Sequence, residues 1–330
     1  MIAIPTLSAG EHLNECLRSL ENQTFHNFEV IVIDNGCNSY TVPEGLSYPC
    51  RVLEPGTNVG FGAAINLAAR ASGASLVATL NDDTEPDPAW MEALVREMSN
   101  DAGAGMCASR IRFSESGKLD SAGMLICLDG SSKQRGHEGT PDAWTRSEDV
   151  LLPSGCAALY RRQMLEEVGY FDEDFFLYCE DTDLGLRAQW AGWNCRYAPD
   201  ATVRHHYSGT AGAFSILKAR YVERNRLWVA VKNFPPALLI LAPAVSIWRY
   251  FWQAVGVRRG RGAASGFVGS GNSMTTAFSI LLRAHIETLR DLPQLLRKRR
   301  AMRPLRKIRP TEFIRLVFRH RITARELGLS

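Results

Sequence analysis

Two acidic clusters, far apart in the chain, are the part of this sequence best suited to chemistry. Residues 81–83 (Asn-Asp-Asp) follow the apolar run 76–80, and residues 180–183 (Glu-Asp-Thr-Asp) follow the aromatic run 175–178. A carboxylate at the end of a buried strand is costly unless a cation or a partner balances it. Such oxygen ligands suit Mg²⁺ or Mn²⁺, which share their coordination with substrate phosphates. With a general base in the second cluster, this layout predicts an enzyme that moves a group off a nucleotide diphosphate.

Each acidic cluster also has a structural alternative. An acid pair after a strand is common in turns, and acids in the first turn of a helix are favoured by the helix macrodipole. The second alternative leaves the apolar run 175–178 unexplained. That run would place the acids at the rim of a core, where burial gives a carboxyl group the raised pKa that a base needs.

Two weaker signals accompany the acids. His205 and His206 follow the strand-like segment 201–204. An imidazole is a ligand for Mn²⁺, but adjacent rings on a strand face opposite ways, so at most one should reach a given site. Residues 58–62 (Asn-Val-Gly-Phe-Gly) precede a helix-like stretch, where small residues let phosphates approach backbone N–H groups. The alternatives are a solvated or hydrogen-bonded histidine and a plain tight turn.

The sequence contains no Walker loop, no G-x-G-x-x-G after a strand and no G-x-S-x-G elbow.

Strand and helix signals alternate around these residues. Three apolar runs predict strands: residues 2–4, 28–33 and 76–80. Segments with helical periodicity separate them, and Ser8 with Glu11 predicts a capping box for the first helix. This alternation implies parallel strands flanked by helices, with ligands beyond the carboxyl ends of the strands, where Asp34 and Asp83 fall. Between 103 and 153 the pattern weakens and predicts hairpins and loops over a substrate site.

Composition predicts a globular protein with a helical appendage. The 330 residues are 45% hydrophobic, enough for one large domain plus an appendage, or for two domains. The eight cysteines form no C-x-x-C pair and no signal peptide is visible, which is typical of reduced thiols in a cytoplasmic protein. Past Pro235 the chain becomes apolar and aromatic, then basic. Residues 297–309 carry eight Lys and Arg and no acid, as in a solvated tail, a nucleic-acid patch or a membrane-facing patch.

The appendage suggests a membrane surface as a partner. The stretch 237–257 approaches transmembrane length, but Pro243 and Arg249 interrupt it, which favours an interfacial or packed amphipathic helix. Its aromatic residues lie next to the arginines of 258–261, a combination that suits the lipid–water interface. We therefore expect a cytoplasmic protein that is peripheral on the inner face of the plasma membrane. The alternative is a tail that packs on the catalytic domain or forms a homodimer.

Taken in order, these segments resemble the inverting glycosyltransferases of family 2, especially the bacterial rhamnosyltransferase-like branch. The resemblance covers residues 1–230, and the basic tail around 295–300 is also similar to that branch. The matching motifs are Ile4-Pro5-Thr6, Val32–Gly36, Asn58–Gly62, Leu80–Thr84, Ser154–Cys156, Gly169–Phe176, Glu180–Leu184 and Val203–His206.

The resemblance implies a fold and an activity. The fold would be of GT-A type, an α/β fold with a Rossmann-like, mostly parallel sheet flanked by helices. It would occupy a catalytic domain at 1–234, followed by a basic amphipathic helical region at 235–330. The enzyme would bind Mg²⁺ or Mn²⁺ and move one hexose from a nucleotide-diphosphate sugar to a glycan or lipid-linked acceptor, in the synthesis of cell-surface polysaccharide. Rhamnose is the first choice of sugar by branch, and galactofuranose or galactose comes next.

Position in the matched motifs implies the nucleotide and metal residues. The nucleotide site would be formed by Pro5, Thr6, Asp34, Asn58, Gly60, Phe61, Asp82 and Asp83. Among these, Asp34 would hydrogen-bond the nucleobase or ribose, and Asp82 would contact ribose or metal. Asp83 and His205 would ligate the metal. Asn81 replaces the first Asp that many relatives have, a change that is frequent in this branch.

The resemblance also implies the catalytic residues. Asp181 would be the base, and Glu180 would help to hold the acceptor or the base. Trp193 and Tyr207 would line the acceptor side. The Q-x-x-R-W signature of processive synthases is absent from the sequence, which favours transfer of a single sugar.

Three rival functions fit the sequence less well. A sugar-nucleotide nucleotidyltransferase would need a basic residue in a Gly-rich N-terminal loop, and residues 8–11 (Ser-Ala-Gly-Glu) lack one. A non-catalytic sugar-nucleotide-binding protein would be expected to lose the carboxylates, which are present. A nucleic-acid binder would explain the basic tail but not the acids, and no aromatic residues are interleaved with the arginines.

Overall fold

A computed structural model describes residues 1–206 and 215–330. They divide into two compact units, one of Met1–Met124 with Gln134–Ser208 and one of Leu125–Lys133 with Gly209–Ser330. The domain boundary expected at 234/235 stays a prediction. The boundary between the two compact units falls earlier in the chain than Pro235, so the helix before Pro235 belongs to the same unit as the C-terminal helices.

The first unit is built on strands that alternate with helices. Its strands, with the hairpin that leads to the second unit, are β1 Ile2–Thr6, β2 Val30–Asp34, β3 Cys50–Leu53, β4 Leu76–Leu80, β5 Thr84–Pro86, β6 Ala104–Phe113, β7 Leu119–Ser121, β8 Met124–Ile126, β9 Ser132–Gln134, β10 Glu148–Val150, β11 Ala157–Arg161 and β12 Asn194–His205. Its helices are α1 Glu11–Leu20, α2 Phe61–Ala71, α3 Trp90–Asn100, α4 Arg162–Val168 and α5 Glu180–Trp190, with 3₁₀ turns at Pro141–Ala143 and Glu173–Phe175.

The central sheet has the order β10-β12-β6-β11-β4-β1-β2-β3, with β5 added to β12 and β7 added to β6. The run β4-β1-β2-β3 is parallel, as is the pair β12-β6, and β11 lies antiparallel between β4 and β6. Strands β1 and β2 are almost fully buried and anchor the core. The expected mostly parallel sheet flanked by helices is thereby confirmed.

Strand pairing gathers the predicted site residues at one edge of this sheet. Thr6 and Asp34 are register partners at the carboxyl ends of β1 and β2. Because β11 is antiparallel to β4, its first residue, Ala157, pairs with the last residue of β4, Leu80. The loop before β11 therefore lies beside the acidic cluster at 81–83.

Two local predictions need correction. The weak pattern over 103–153 predicts hairpins and loops, and β6 does form a hairpin with β7, but β6 is also a ten-residue strand in the middle of the sheet. Its small residues have little intrinsic strand preference, and pairing with β11 and β12 on its two sides overrides that preference. The predicted capping box is also absent, since α1 begins after Gly10 and no side chain caps it.

The second unit is helical. Its helices are α6 Ile216–Asn233, α7 Pro236–Arg258, α8 Gly262–Gly269, α9 Met274–Ala301, α10 Pro310–Arg319 and α11 Ala324–Leu329, with a 3₁₀ turn at Arg303–Leu305. Among the described residues only α7 is long and apolar enough to cross a membrane, with mean hydropathy 1.3 over its most apolar window. Arg249, in the middle of α7, is 3% exposed and donates to Asp129 at 2.6 Å and to Glu223 at 2.9 Å. Its charge is neutralised inside the helical unit.

Candidate active site

Asp83 and His205 meet at the edge of the sheet, as the sequence predicts. His205 Nε2 lies 3.3 Å from Asp83 Oδ1, and both side chains are buried. The pairing of β5 with β12 explains this contact, because Thr84, the residue after Asp83, is the register partner of His205. His206 turns the other way and binds Glu85, as expected for adjacent residues on a strand.

A third residue, Asp120, orients this pair. Its Oδ2 lies 2.8 Å from His205 Nδ1, so Nε2 is directed at Asp83. Burial alone lowers the pKa of His205, but contacts with Cys156, Asp120 and Asp83 raise that pKa well above its usual value. Metal-binding histidines commonly have a carboxylate on the second ring nitrogen, which fixes the tautomer and the ring orientation.

The donor set fits a hard divalent cation. Asp83 would supply a carboxylate oxygen, and His205 would supply Nε2 after releasing the proton that its raised pKa favours. Both groups are ligands for Mn²⁺ and acceptable for Mg²⁺. Within residues 1–206 and 215–330 there is no group of three or more His, Cys, Asp and Glu that could hold a metal ion. Two protein ligands suit a cation that completes its coordination with substrate phosphate oxygens and water.

Loss of the Asp120 carboxylate is expected to weaken cation binding without removing a ligand. Asp120→Ala should lower Mn²⁺ affinity by about 10- to 100-fold, the range typical of partners that orient a metal ligand. Asp120→Asn keeps one acceptor for His205 and should lose less. Titration of free Mn²⁺ by electron paramagnetic resonance measures this, with the thermal midpoint as a check on folding. Equal affinities in wild-type protein and Asp120→Ala would contradict the orienting role.

The loop before β11 links Asp181 to the acidic cluster at 81–83. Asp181 Oδ2 accepts the Gly155 N–H at 3.0 Å, and the carbonyl of the adjacent Cys156 accepts the Asn81 N–H at 2.8 Å. Asp181 Oδ1 accepts the backbone N–H of Thr182 at 2.6 Å. Burial raises the pKa of Asp181, and these hydrogen bonds offset part of that rise. Consecutive residues of one loop thus contact the predicted base and the acidic cluster that contains Asp83.

Glu180 has a different environment from its neighbour. It is 6% exposed, and its Oε2 has no hydrogen-bond partner among the described residues. Burial and the charge of Asp181 raise the pKa of Glu180 to about 8. A pKa raised this far favours the protonated form of Glu180 at neutral pH, which can donate a hydrogen bond.

The backbone before α5 is held in an unusual conformation. Phe176, Tyr178 and Cys179 all have positive φ, between 63° and 68°. Non-glycine residues in this region cost energy and cluster at functional sites. The Phe176 carbonyl accepts the Phe61 N–H at 2.8 Å, and a Cβ on Gly60 would lie only 2.3 Å from that oxygen. Glycine at 60 thus lets the loop at 58–62 approach the segment that presents Asp181.

The predicted nucleotide residues surround the carboxyl ends of β1 and β2. The Thr6 hydroxyl donates to Asp82 Oδ2 at 2.6 Å, which links the end of β1 to the acidic cluster. Asp34 is fully buried and accepts the N–H groups of Asn38 at 2.8 Å and Tyr40 at 3.1 Å. Asp34 therefore stabilises the loop that follows it, up to Tyr40. Its contact with a nucleobase or ribose stays a prediction.

Asn35 joins this loop to the glycine segment. Its Oδ1 accepts the Val59 N–H at 3.0 Å and its Nδ2 donates to the Gly60 carbonyl at 3.2 Å, while Asn58 Oδ1 accepts the Gly60 N–H at 2.9 Å. Pro5 lies in β1 opposite Ile33 of β2. The structure thus brings the residues predicted from the first motifs to one edge of the sheet.

Sequence reasoning missed Asp120 and the linking role of Asn35. Asp120 lies in the three-residue strand β7, within the region predicted as loops, and nothing in the local pattern marks it. The predicted acceptor residues are less informative. The Trp193 indole donates to Glu167 at 2.9 Å, and Tyr207 lies outside the described residues.

Comparison with known proteins settles the family. The model of Glycosyl transferase family 2 matches residues 1–169 of the 330. This chain belongs to that family. The expected membership is confirmed, and the protein is a glycosyltransferase.

Two curated relatives of this family 2 enzyme are rhamnosyltransferases by name. N-acetylglucosaminyl-diphospho-decaprenol L-rhamnosyltransferase of Mycobacterium tuberculosis is 32% identical over 232 residues, 63% of this chain and 76% of the relative. O-antigen chain rhamnosyltransferase RfbN of Salmonella typhimurium is 26% identical over 215 residues, 63% of this chain and 67% of the relative. The first name specifies N-acetylglucosaminyl-diphospho-decaprenol and the second the O-antigen chain.

A solved structure supports the fold of this family 2 enzyme. GalNAc-T7, crystallised with UDP, GalNAc and Mn²⁺, aligns with a TM-score of 0.54 at 15% identity. The alignment covers 70% of this chain and 47% of that one. At this identity the likeness bears on the fold alone, and it agrees with the expected GT-A type.

Proposed function

We propose that this enzyme transfers one sugar with inversion from a nucleotide-diphosphate donor, with rhamnose as the first choice of sugar, in a reaction that needs Mg²⁺ or Mn²⁺. The observation that carries the proposal is the loop at 154–156, where the Gly155 N–H binds Asp181 at 3.0 Å and the Cys156 carbonyl accepts the Asn81 N–H at 2.8 Å. This loop therefore joins a candidate base to the acidic cluster that contains a candidate metal ligand.

The carboxylate of Asp181 performs the proton transfer in this proposal. An acceptor hydroxyl gives its proton to Asp181 while its oxygen forms a bond to the anomeric carbon of the donor. The bond from that carbon to the diphosphate oxygen breaks on the opposite face, and the nucleoside diphosphate leaves with the electron pair. A single displacement of this kind inverts the anomeric centre. The raised pKa of Asp181 suits a base that works near neutral pH.

Asp83 and His205 hold the leaving-group side of the site. These two residues would hold a divalent cation, which would supply positive charge for the diphosphate leaving group. Asp120 keeps the His205 ring in the orientation that directs Nε2 to Asp83. Glu180, protonated beside Asp181, provides a hydrogen-bond donor for the acceptor or for the base.

The relatives support the choice of donor and acceptor. The M. tuberculosis relative is named for L-rhamnose and for N-acetylglucosaminyl-diphospho-decaprenol. We infer a deoxythymidine-diphosphate rhamnose donor and a lipid-linked or glycan acceptor in cell-surface polysaccharide synthesis. We further infer that the enzyme works in the cytoplasm, at the inner face of the plasma membrane. A uridine-diphosphate galactose or galactofuranose donor is the next candidate.

A donor screen tests this proposal. The thermal midpoint of the full chain is measured with Mn²⁺ and a panel of sugar nucleotides, each also tested without metal. A ligand at 100 times its Kd stabilises the fold by about 2.7 kcal/mol, so the matching donor should raise the thermal midpoint. The rise should occur only with metal, because the proposed cation binds the donor diphosphate.

The outcomes of the screen are distinct. A rhamnose donor that shifts the midpoint no more than its free nucleoside diphosphate would contradict the sugar assignment. A shift that persists in excess chelator would contradict the metal requirement. The anomeric configuration of the product, read by nuclear magnetic resonance, tests inversion separately.

A further inference from the structure

The outer face of α9 exposes a row of large apolar side chains. Met274, Phe278, Leu282, Ile286 and Leu289 are 55%, 67%, 52%, 56% and 69% exposed. At 3.6 residues per turn these positions fall on one side of the helix. Isolated exposed apolar residues are ordinary in soluble proteins, but a continuous row indicates a surface that another phase or protein covers.

A basic row runs beside these apolar residues. Arg283, Arg290 and Arg297 are spaced seven apart, so they lie along one edge of the apolar face, and all three are exposed. A helix with exposed apolar residues on one side and arginines along the edge is typical of segments that lie in a membrane interface.

The outer face of α7 has the same character. Ile240, Leu241, Ile247, Trp248 and Phe251 are between 47% and 79% exposed. The Trp248 and Phe251 rings stack at 5.2 Å, so half-exposed aromatic surface forms a continuous patch. The helix ends in a cluster of exposed arginines at 258–261. Amphipathic aromatic rings of this kind favour the headgroup level of a bilayer.

The charge of the surrounding residues indicates which partner covers these two apolar faces. Residues 224–286 contain no Asp and no Glu. In the rest of α9, Glu287 pairs with Arg283 and Asp291 pairs with Arg290, each within 3.0 Å. Two copies that paired the same face would bring arginines against arginines, since a two-fold interface places each patch opposite itself. An anionic lipid surface complements both the apolar rows and the arginines.

The structure favours helices that lie on the membrane over a helix that crosses it. Arg249 in the middle of α7 is bound to Asp129, which is fully buried, and to Glu223. A crossing helix would have to carry these charges into hydrocarbon or break both ion pairs. The outer face of α7 can enter the interface with both pairs intact.

We propose that the outer faces of α7 and α9 dock on an anionic membrane leaflet, with their apolar side chains at the acyl boundary and the flanking arginines among the headgroups. Docking depends on the helical unit alone and not on the identity of the donor or the acceptor. It goes beyond the proposed transfer reaction because it assigns the surface that brings the enzyme to the membrane.

Vesicle sedimentation of the full chain tests the docking surface. Wild-type protein should bind vesicles of phosphatidylglycerol with phosphatidylcholine, and should bind pure phosphatidylcholine weakly. Binding should fall as salt rises, because the Debye length shortens from about 10 Å at 0.1 M to about 3 Å at 1 M. Two double variants test the two faces: Phe278→Gln with Ile286→Gln on α9, and Ile240→Gln with Ile247→Gln on α7. Each should bind the vesicles more weakly than wild type by a factor of about ten or more.

A matched control separates docking from general stickiness. Phe318→Gln on α10 changes an apolar side chain that is 40% exposed outside the two faces, and it should bind vesicles like wild type. Thermal midpoints should be unchanged in all these variants because the substituted side chains are exposed.

Vesicle binding by either double variant at wild-type strength overturns the assignment of that face. Loss of a dimer in the variants, measured by light scattering without lipid, assigns the face to a second copy instead. Wild-type protein that stays with the vesicles in alkaline carbonate overturns the peripheral arrangement.

Discussion

Asp181→Asn is expected to reduce kcat by about 10²- to 10⁴-fold while the enzyme still binds its donor with metal. The amide cannot take the acceptor proton. Its single oxygen can replace only one of the two contacts that the carboxylate makes with the Gly155 and Thr182 N–H groups. The thermal midpoint must therefore be measured beside the rate, and donor affinity by calorimetry.

A control for charge comes from the same region of the chain. Asp174→Asn removes one negative charge from an exposed position in the segment before α5. It should leave kcat close to wild type. Near-normal turnover in folded Asp181→Asn would remove Asp181 from the role of base, and donor binding lost together with turnover would assign it to the nucleotide site.

The pH dependence of the wild-type enzyme has a predictable sign. Burial raises the pKa of Asp181, and only the deprotonated carboxylate can accept a proton. We therefore expect kcat to fall on the acid side as pH drops through this raised pKa. The acid limb should be absent from the residual activity of Asp181→Asn, because the group that titrates has been removed.

The sequence predicts the parts of the site that follow directly from local pattern. The apolar run at 76–80 coincides with β4, and the helix predicted from Asp181 begins one residue earlier, at Glu180. Parallel strands then place their carboxyl ends at one edge, which brings Asp34 and Asp83 to the same side of the sheet. These steps need only short-range periodicity and one general rule of α/β topology.

The parts that the sequence could not predict depend on tertiary pairing. Asp120 contacts His205 across 85 positions in the chain, because β7 pairs with β6 and β6 pairs with β12. β6 itself is rich in small residues and becomes a strand through its neighbours. Once the most weakly patterned strand is misassigned, the residue that orients His205 cannot be recognised.

His205→Ala is expected to abolish metal-dependent donor binding, whereas His206→Ala should preserve it. The two histidines are adjacent, but His205 faces Asp83 and Asp120 while His206 faces Glu85. Loss of a direct ligand should lower Mn²⁺ affinity by more than the roughly 10- to 100-fold typical of an orienting partner. Asp83→Ala should give the same result, since it removes the other protein ligand.

This pair of variants separates a metal site from a structural ion pair. If Asp83 and His205 only stabilised the pairing of β5 with β12, His205→Ala would lower the thermal midpoint and leave the affinity of the folded enzyme for Mn²⁺ unchanged. If they ligate the cation, affinity falls even below the melting range, and added Mn²⁺ restores part of the activity. Activity that survives both His205→Ala and excess chelator would mean that the leaving group is neutralised by other residues, because a departing diphosphate needs positive charge from some source.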